Sequence, residues 1–225
     1  MISVVIPTLD AASRLPDCLA ALAAARASGP VGEVIVVDGG SADATVAIAE
    51  SLGAKIVHAK QGRGAQLAAG AEAACGDWLL FLHADTVLEP GWEQEAADFI
   101  QGAGPSHAAY FRFALDDASA AARRLERLVA LRCRLFALPY GDQGLLISRA
   151  LYQMNGGYRP LPLMEDVDLV RRVGRQRLTM LSAAAVTSAQ RFRKDGYWLR
   201  SARNLTILAL FACRVPVGIL AKLYR

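Results

Sequence analysis

Short runs of apolar, strand-forming residues alternate with alanine-rich segments along the first hundred residues. The apolar runs cover 2–8, 33–38, 55–58 and 79–82. Helix-forming segments lie between them, at 14–27, after Ser41, and from the loop 60–64 to Ala74. Strands that alternate with helices over short connections predict a right-handed, parallel, doubly wound sheet. We expect Ser41 to cap the second helix, with Asp43 in its first turn.

The second half has a less regular pattern. Residues 109–115 alternate between apolar and polar as in a half-exposed strand, which predicts an antiparallel or mixed edge of the sheet. A helix is expected over 118–138, a strand over 145–148, and the start of another helix at 164–168. Neither a linker nor an internal repeat divides the sequence, so we predict a single α/β domain over residues 1–225.

Composition and charge narrow the class of protein. An apolar content of 54% with 20% charged residues excludes disorder. The net charge of +4 permits an anionic ligand or membrane surface and is too weak to indicate nucleic acid. Four cysteines without a CxxC pair predict reduced core residues, and no basic segment or cleavage site precedes the first strand. We therefore expect a cytoplasmic protein, with His58 and His107 as isolated structural residues.

Carboxylates follow the predicted strands where each strand ends. Asp38 and Asp85 come directly after buried strands. Because the carboxyl ends of parallel strands meet at one edge of a sheet, the two side chains are expected to share a crevice. Asp85 could hold a divalent metal that binds a diphosphate. The alternative is that Asp85 only caps the turn after its strand.

A pair of adjacent carboxylates opens the helix at 164–168. Mutual repulsion would keep one of the two more basic than an isolated carboxylate, which suits a general base that takes a proton from a hydroxyl group. The alternative is that the pair caps the helix. We expect Asp168 to be structural, paired with Arg171 or Arg172 on the helix surface.

Several stretches, in order, resemble the signature of family 2 glycosyltransferases with the GT-A fold. They are VVIPTLD at 4–10, VVDGGSAD at 36–43, FLHAD at 81–85 and EDVD at 165–168. The stretches 62–66, 141–143 and 188–192 resemble a bacterial branch of the family, with His83-Ala84-Asp85 in place of the DxD motif. The resemblance implies a mostly parallel, mixed-edge sheet of the nucleotide-diphospho-sugar transferase type, followed by C-terminal helices.

The resemblance also implies an activity and a set of roles. A sugar would pass from a nucleotide-diphosphate sugar, most simply a UDP-sugar, to an acceptor hydroxyl with inversion. Asp166, supported by Glu165, corresponds to the base, and Asp85 to the ligand of Mn²⁺ or Mg²⁺. The residues that would bind the nucleotide sugar are Pro7, Thr8, Asp10, Asp38, Arg63, His83, Ala84, Asp85 and Arg191. Gly141, Asp142 and Gln143 would border the acceptor.

The same resemblance divides the domain and exposes two departures from the family pattern. Residues 1–115 would form the nucleotide-binding half, 116–200 the acceptor half and 201–225 an apolar helical tail. His83 stands where the DxD motif has its first Asp, which removes one negative charge and predicts weaker metal binding. Ala68 stands where relatives commonly carry Asn.

Two other functions remain open at this point. A sugar-phosphate nucleotidyltransferase shares the doubly wound sheet, but its glycine-rich loop should follow the first strand, where this chain has Pro7 and Thr8. Rossmann and P-loop motifs are absent from the sequence. The second alternative is a non-catalytic module that binds a nucleotide sugar or a membrane, which His83 favours and the pair Glu165-Asp166 disfavours.

The apolar tail at 205–223 permits three interpretations. Arg214 and Pro216 interrupt it, so it is too short for a transmembrane helix of about 20 residues. It could pack on the domain or across a homodimer. It could also lie on an anionic bilayer at the inner face of the membrane, which would suit a lipid-linked acceptor.

Overall fold

The chain folds around one mixed sheet with helices on both faces. The computed structural model describes residues 1–224, except for the side chain of Ser28. The strands are β1 (Ile2–Thr8), β2 (Val31–Asp38), β3 (Lys55–His58), β4 (Trp78–Phe81), β5 (Thr86–Leu88), β6 (Ala108–Leu115), β7 (Leu145–Ser148) and β8 (Leu178–Thr187). They lie in the order β3-β2-β1-β4-β7-β6-β8-β5.

Helices connect and follow these strands. They are α1 (Leu15–Ser28), α2 (Thr45–Ser51), α3 (Arg63–Ala73), α4 (Trp92–Ala103), α5 (Ala120–Phe136), α6 (Arg149–Met154), α7 (Glu165–Val173), α8 (Gln190–Asp195), α9 (Tyr197–Ala212) and α10 (Val217–Tyr224). Short 3-10 turns lie at Gly141–Gln143 and Arg175–Arg177. Over the described residues, we find no helix with the length and apolar character needed to cross a bilayer.

The predicted parallel half is confirmed. Strands β3, β2, β1 and β4 pair in parallel, so their carboxyl ends share one edge. Alternate residues of β1 point to opposite faces: Val4 packs in the core cluster that contains Leu22 of α1, and Val5 in the cluster that contains Leu67 of α3. Helices on both faces explain the continuous apolar runs in the sequence. The α/β fold class is confirmed.

The second half of the sheet corrects one prediction. Residues 109–115 were expected to form a half-exposed edge, but β6 lies between β7 and β8 and only Arg112 in it is exposed. Strand β6 runs antiparallel to β7 and parallel to β8. The edge is occupied by β5, which pairs antiparallel with β8. The covering helices bury both faces of β6, which its alternating pattern did not indicate.

Two local predictions are also wrong. Helix α2 begins at Thr45 with Ala44 at its N-cap, so Ser41 does not cap it and Asp43 lies before its first turn. The hydroxyl of Ser41 instead donates a hydrogen bond to Asp38 Oδ1 at 2.5 Å. All four cysteines are free, but only Cys18 and Cys133 are buried; Cys75 and Cys213 are exposed.

The apolar tail packs on the rest of the domain. Ile207 of α9 and Leu220 of α10 are buried in a cluster with Leu138 and with Val167 and Val170 of α7. Other apolar residues of the tail remain at the surface, namely Leu205, Ile219 and Leu223. Packing on the domain is thus observed, while contact with a membrane or a second copy stays a prediction.

Candidate active site

A cavity opens at the sheet edge where β4 ends. It encloses about 840 Å³ including its open mouth. Its walls come from the turn after β4, the 3-10 turn 141–143 and helices α7 to α10. The lining residues are Arg63, His83, Asp85, Tyr140, Gly141, Asp142, Leu163, Met164, Glu165, Asp166, Thr187, Ser188, Arg191, Phe192, Arg200, Asn204 and Tyr224.

A tight turn after β4 brings His83 and Asp85 into the cavity. The N–H of Thr86 donates to the carbonyl of His83 at 3.2 Å, and Ala84 packs against the core beneath the turn. Burial lowers the pKa of His83 well below its ordinary value, and the charges of Arg63 and Arg191 lower it further. The imidazole is therefore neutral. Its buried Nε2 has no hydrogen-bond partner among the described residues.

Asp166 faces the cavity from the first turn of α7. Met164 adopts a left-handed backbone, with φ of 63°, immediately before the helix begins at Glu165. The Oδ2 atom of Asp166 accepts a hydrogen bond from the N–H of Gly141 at 2.7 Å, and Oδ1 accepts one from the N–H of Val167 at 2.7 Å. These two bonds and the positive end of the helix hold a carboxylate in one orientation.

Glu165 lies deeper than Asp166 and links α7 to α3. It is 2% exposed, and its Oε1 lies 3.5 Å from Nη1 of Arg63, the first residue of α3. Burial raises the pKa of Glu165, and the neighbouring charge of Asp166 raises it further, against the effect of Arg63. Glu165 thus orients Arg63 at the cavity wall.

The 3-10 turn 141–143 contributes two cavity residues and one structural residue. Gly141 lies against His83, and a Cβ at this position would be 2.6 Å from His83 Nε2. Burial raises the pKa of Asp142 to about 6, and its Oδ1 is buried without a partner in the described part of the chain. Gln143 points into the protein: its amide donates to the Phe111 carbonyl at 3.2 Å, and its Oε1 accepts from Arg132 at 3.0 Å.

The residues predicted to bind the nucleoside lie at the same sheet edge but do not line this cavity. Thr8 and Asp38 are neighbours at the ends of β1 and β2, and Pro7 precedes Thr8 in the same register. Burial alone would raise the pKa of Asp38, but hydrogen bonds from Ser41 and Gly40 bring it below its ordinary value. The buried Gln66 ties these ends together by donating to the carbonyls of Thr8 and Val37 at 2.8 and 2.9 Å.

Asp10 belongs to this second group. It has a left-handed backbone, with φ of 50°, and its Oδ1 accepts a hydrogen bond from the N–H of Ala42 at 2.8 Å. The contact joins the loop after β1 to the loop after β2. The structure therefore divides the predicted nucleotide-binding residues into a loop group, Pro7, Thr8, Asp10 and Asp38, and a cavity group, Arg63, His83, Asp85 and Arg191.

Three arginines, Arg63, Arg191 and Arg200, line the cavity, and Arg200 is paired with Asp195. Arg63 is engaged with Glu165, whereas the exposed Arg191 of α8 forms no ion pair with any residue that the structure describes. Arg191 is close enough to His83 to lower its pKa. An anion bound in the cavity would therefore pair with Arg191.

Asp168 has the structural role that was predicted for it. Its Oδ2 lies 2.7 Å from Nη2 of Arg172, one helical turn later, and its Oδ1 lies 3.2 Å from Nη1 of Arg159. Asp168 does not line the cavity.

Sequence reasoning missed three residues that α9 and α10 supply. Arg200 and Asn204 of α9 and Tyr224 of α10 line the cavity. Arg200 is 8% exposed and pairs with Asp195 at 2.7 Å. The amide oxygen of Asn204 is buried without a partner in residues 1–224. The polar residues between Arg200 and Thr206 of the otherwise apolar α9 were the available signal, but the sequence did not show which surface the helix covers.

The donor atoms in the cavity suit a metal shared with a ligand. Asp85 supplies a carboxylate, and His83 Nε2 is a buried neutral nitrogen without a partner. Among the described residues, no group of three or more His, Cys, Asp or Glu side chains could hold an ion by itself. Mg²⁺ commonly binds one or two carboxylates and completes its coordination with substrate phosphates and water. The residues present fit such an ion.

Comparison with known proteins places these features in a family. The model of glycosyl transferase family 2 matches residues 3–157. A PGL/p-HBAD biosynthesis glycosyltransferase of Mycobacterium bovis is 40% identical over 118 residues, which are 49% of this chain and 45% of that protein. A TPR repeat-containing protein of Synechococcus elongatus is 42% identical over 81 residues, 35% of this chain and 19% of that protein. The chain spans less than half the length of these curated relatives.

Solved structures show the same fold. S. aureus TarS 1-349 in complex with UDP-GlcNAc superposes with a TM-score of 0.67 at 21% identity, covering 83% of this chain and 58% of that one. Glucosyl-3-phosphoglycerate synthase from Mycobacterium tuberculosis, in complex with Mn²⁺, UDP and glucosyl-3-phosphoglycerate, superposes with a TM-score of 0.63 at 19% identity. The match covers 96% of this chain and 81% of that one. The family match spans more than half of the chain and includes β1, β2 and the turn after β4. This chain belongs to glycosyl transferase family 2.

Proposed function

We propose that the chain transfers a sugar from a nucleotide-diphosphate sugar to an acceptor hydroxyl group, with Asp166 as the general base. The observation that carries the proposal is that Asp166, held by the N–H of Gly141 at 2.7 Å, lines the same cavity as Asp85. A fixed base opposite a potential metal ligand is the arrangement that such a transfer needs. Membership of glycosyl transferase family 2 supports the same reaction.

The donor would extend from the loop group into the cavity. Pro7, Thr8, Asp10 and Asp38 would contact the nucleoside, because they lie at the ends of β1 and β2 beside the turn that carries Asp85. TarS in complex with UDP-GlcNAc and glucosyl-3-phosphoglycerate synthase in complex with UDP support a UDP-sugar. The diphosphate would meet the cavity group, where the unpaired Arg191 offers a bidentate contact.

A divalent cation, Mn²⁺ or Mg²⁺, would be held by Asp85 together with oxygens of the diphosphate. His83 Nε2 lies at the same wall and could accept a hydrogen bond from the donor or from a water bound to the ion. When bound, the ion would neutralise negative charge on the diphosphate. The synthase complex that contains Mn²⁺ and UDP supports this assignment.

The chain's own residues would carry the proton and orient the groups. The acceptor oxygen forms a bond to the anomeric carbon of the sugar while Asp166 takes its proton. The bond between that carbon and the diphosphate breaks, and the electron pair leaves on the diphosphate, where Arg191 stabilises it. Attack from the side opposite the leaving group inverts the anomeric centre. Glu165 fixes Arg63 at the cavity wall, and Gly141 and Asp142 border the acceptor.

A thermal-shift panel tests donor binding. UDP-, GDP- and dTDP-sugars and the corresponding nucleoside triphosphates would be compared with and without Mn²⁺, because a ligand that binds the native state raises the melting temperature. We expect sugars of one nucleotide class to raise the melting temperature, and to raise it further when Mn²⁺ is present. An Asp85→Asn variant should lose the additional rise that Mn²⁺ produces. No shift with any donor would contradict the proposal. A larger shift with a nucleoside triphosphate would favour the nucleotidyltransferase, and donor binding without turnover the non-catalytic module.

A further inference from the structure

An apolar groove lies between α5 and α9, next to the cavity. It encloses about 550 Å³ including its open mouth. Buried Phe113 and Val129 form its floor, and Leu128 and Leu205, 52% and 60% exposed, stand on its rims. Exposed leucines on both sides of a groove leave apolar surface in water, which is unfavourable unless a ligand covers it.

The groove runs into the cavity. Tyr140, Asp142, Phe192 and Asn204 line both. At this junction the Oδ1 atoms of Asp142 and Asn204 are buried, and neither has a hydrogen-bond partner within residues 1–224. A buried acceptor atom without a donor is costly, so two of them, each on a residue that lines both the groove and the cavity, indicate a ligand that brings hydroxyl groups there.

The cationic side chain among the groove residues, Arg132, is already engaged. The guanidinium of Arg132 lies 3.6 Å from the ring centroid of Tyr140. Its Nε and Nη2 atoms donate to the Leu138 carbonyl and to Gln143 Oε1, both at 3.0 Å. The groove therefore offers apolar surface ending in hydrogen-bond acceptors, and not a free cation for an anionic head.

We propose that the groove binds an apolar chain of the acceptor, whose neutral, hydroxylated head lies at the junction of Asp142 and Asn204. The inference rests on the proposed function, because the junction leads the head group towards Asp166. It deepens that function by assigning the acceptor to a chemical class: an uncharged amphiphile with an alkyl or aryl chain.

Chain-length dependence of binding tests the assignment. Methyl, hexyl and octyl β-D-glucoside would be titrated into the full chain below their critical micelle concentrations, with binding followed by NMR. Each methylene buried in an apolar site tightens binding by roughly fourfold. We expect octyl glucoside, with two more methylenes, to bind roughly fifteenfold tighter than hexyl glucoside, and methyl glucoside to bind most weakly.

Two leucines of α9 give a matched pair of variants. Leu205→Glu places a charge on the groove rim, whereas Leu199→Glu changes a residue of the same helix that is 71% exposed and does not line the groove. We expect Leu205→Glu to lose the preference for octyl over hexyl glucoside and Leu199→Glu to keep it. Both side chains are exposed, so neither change should unfold the chain.

Three results would overturn the inference: equal affinity for all three glucosides, an equal loss in both variants, or a wild-type dimer in light scattering that Leu205→Glu dissociates. The last would make the groove an interface between copies. Binding of UDP with Mn²⁺, measured separately, distinguishes the two proposals. If UDP binds but the glucoside affinity does not depend on alkyl-chain length, only the groove proposal is contradicted. If the affinity depends on chain length but UDP does not bind, the proposed nucleotide donor is contradicted.

Discussion

A methyl group at Gly141 would meet both side chains on which the proposed reaction depends. A Cβ there would lie 2.6 Å from His83 Nε2 and 3.4 Å from Asp166 Oδ2. We expect Gly141→Ala to lower the free energy of unfolding by about 1–3 kcal/mol through overpacking and to reduce donor turnover by about tenfold or more through displacement of Asp166. Urea unfolding and a nucleoside diphosphate release assay measure the two effects.

Gly102 of α4 provides the control for this substitution. A Cβ at Gly102 would have no atom within 4 Å, so Gly102→Ala should be neutral or stabilising by about 0.5–1 kcal/mol, as expected for alanine in a helix. A Gly141→Ala protein as stable and active as wild type would show that the contact between the 3-10 turn and His83 is unimportant.

Asp142 should make stability depend on pH in a direction opposite to that of a salt-bridged carboxylate. Burial raises its folded pKa to about 6, and its unfolded pKa is about 3.9. The folded state therefore holds the proton more tightly, and the stabilisation present below about pH 4 is lost as pH rises through about 6. Relative to Asp142→Asn, the wild type should lose on the order of 2–3 kcal/mol of unfolding free energy between pH 4 and 7.

The comparison with Asp142→Asn isolates this effect. Glu165 also has a raised pKa from burial and from Asp166, so the wild-type profile alone would mix the two groups. Urea unfolding of both proteins from pH 4 to 7.5 gives the difference between their profiles. Parallel profiles would mean that Asp142 does not titrate in this range in the folded state.

At the level of elements, α10 holds the tail on the domain through one face. Leu220 is fully buried against the cluster that includes Val167 of α7, whereas Leu223 on the same helix is 58% exposed. Leu220→Ala should destabilise the protein by about 2–5 kcal/mol, because it leaves a cavity in a packed core. Leu223→Ala should change stability by no more than about 0.5 kcal/mol.

A single cooperative unfolding transition is expected for wild type and for Leu220→Ala, because α10 shares its cluster with α7. The test is urea unfolding followed both by circular dichroism and by tryptophan fluorescence. Equal stability of the two leucine variants would indicate that the tail is an independent appendage and would contradict the predicted single domain.

The elements also show which predictions the sequence supports. Strands β1, β2 and β4 were predictable because helices cover both faces and leave continuous apolar runs. Strand β8 was not predicted, since Ser182 and three successive alanines, 183–185, give it little strand propensity. Its pairing with β6 and β5 decides its conformation, and that pairing depends on contacts far apart in the sequence.

On the scale of the whole molecule, the sequence predicted the carboxylates of the candidate site but not the residues that α9 and α10 contribute to it. Asp85, Glu165 and Asp166 follow from the rule that carboxyl ends of parallel strands meet at one edge and from the carboxylate pair at a helix start. Arg200, Asn204 and Tyr224 could not be located, because they reach the cavity only when α9 and α10 fold back over it. The cytoplasmic location and the contact with a membrane stay predictions.

The central claim is that Asp166 is the base of a sugar transfer in this cavity. Its most direct test is the rate of nucleoside diphosphate release from the preferred donor, with octyl glucoside or water as acceptor, in Asp166→Asn and in the control Asp168→Asn. We predict that Asp166→Asn binds the donor as wild type does but turns it over about 10²–10⁴-fold more slowly, while Asp168→Asn keeps its turnover. Turnover by Asp166→Asn within about twofold of wild type, at equal donor binding, would contradict the account.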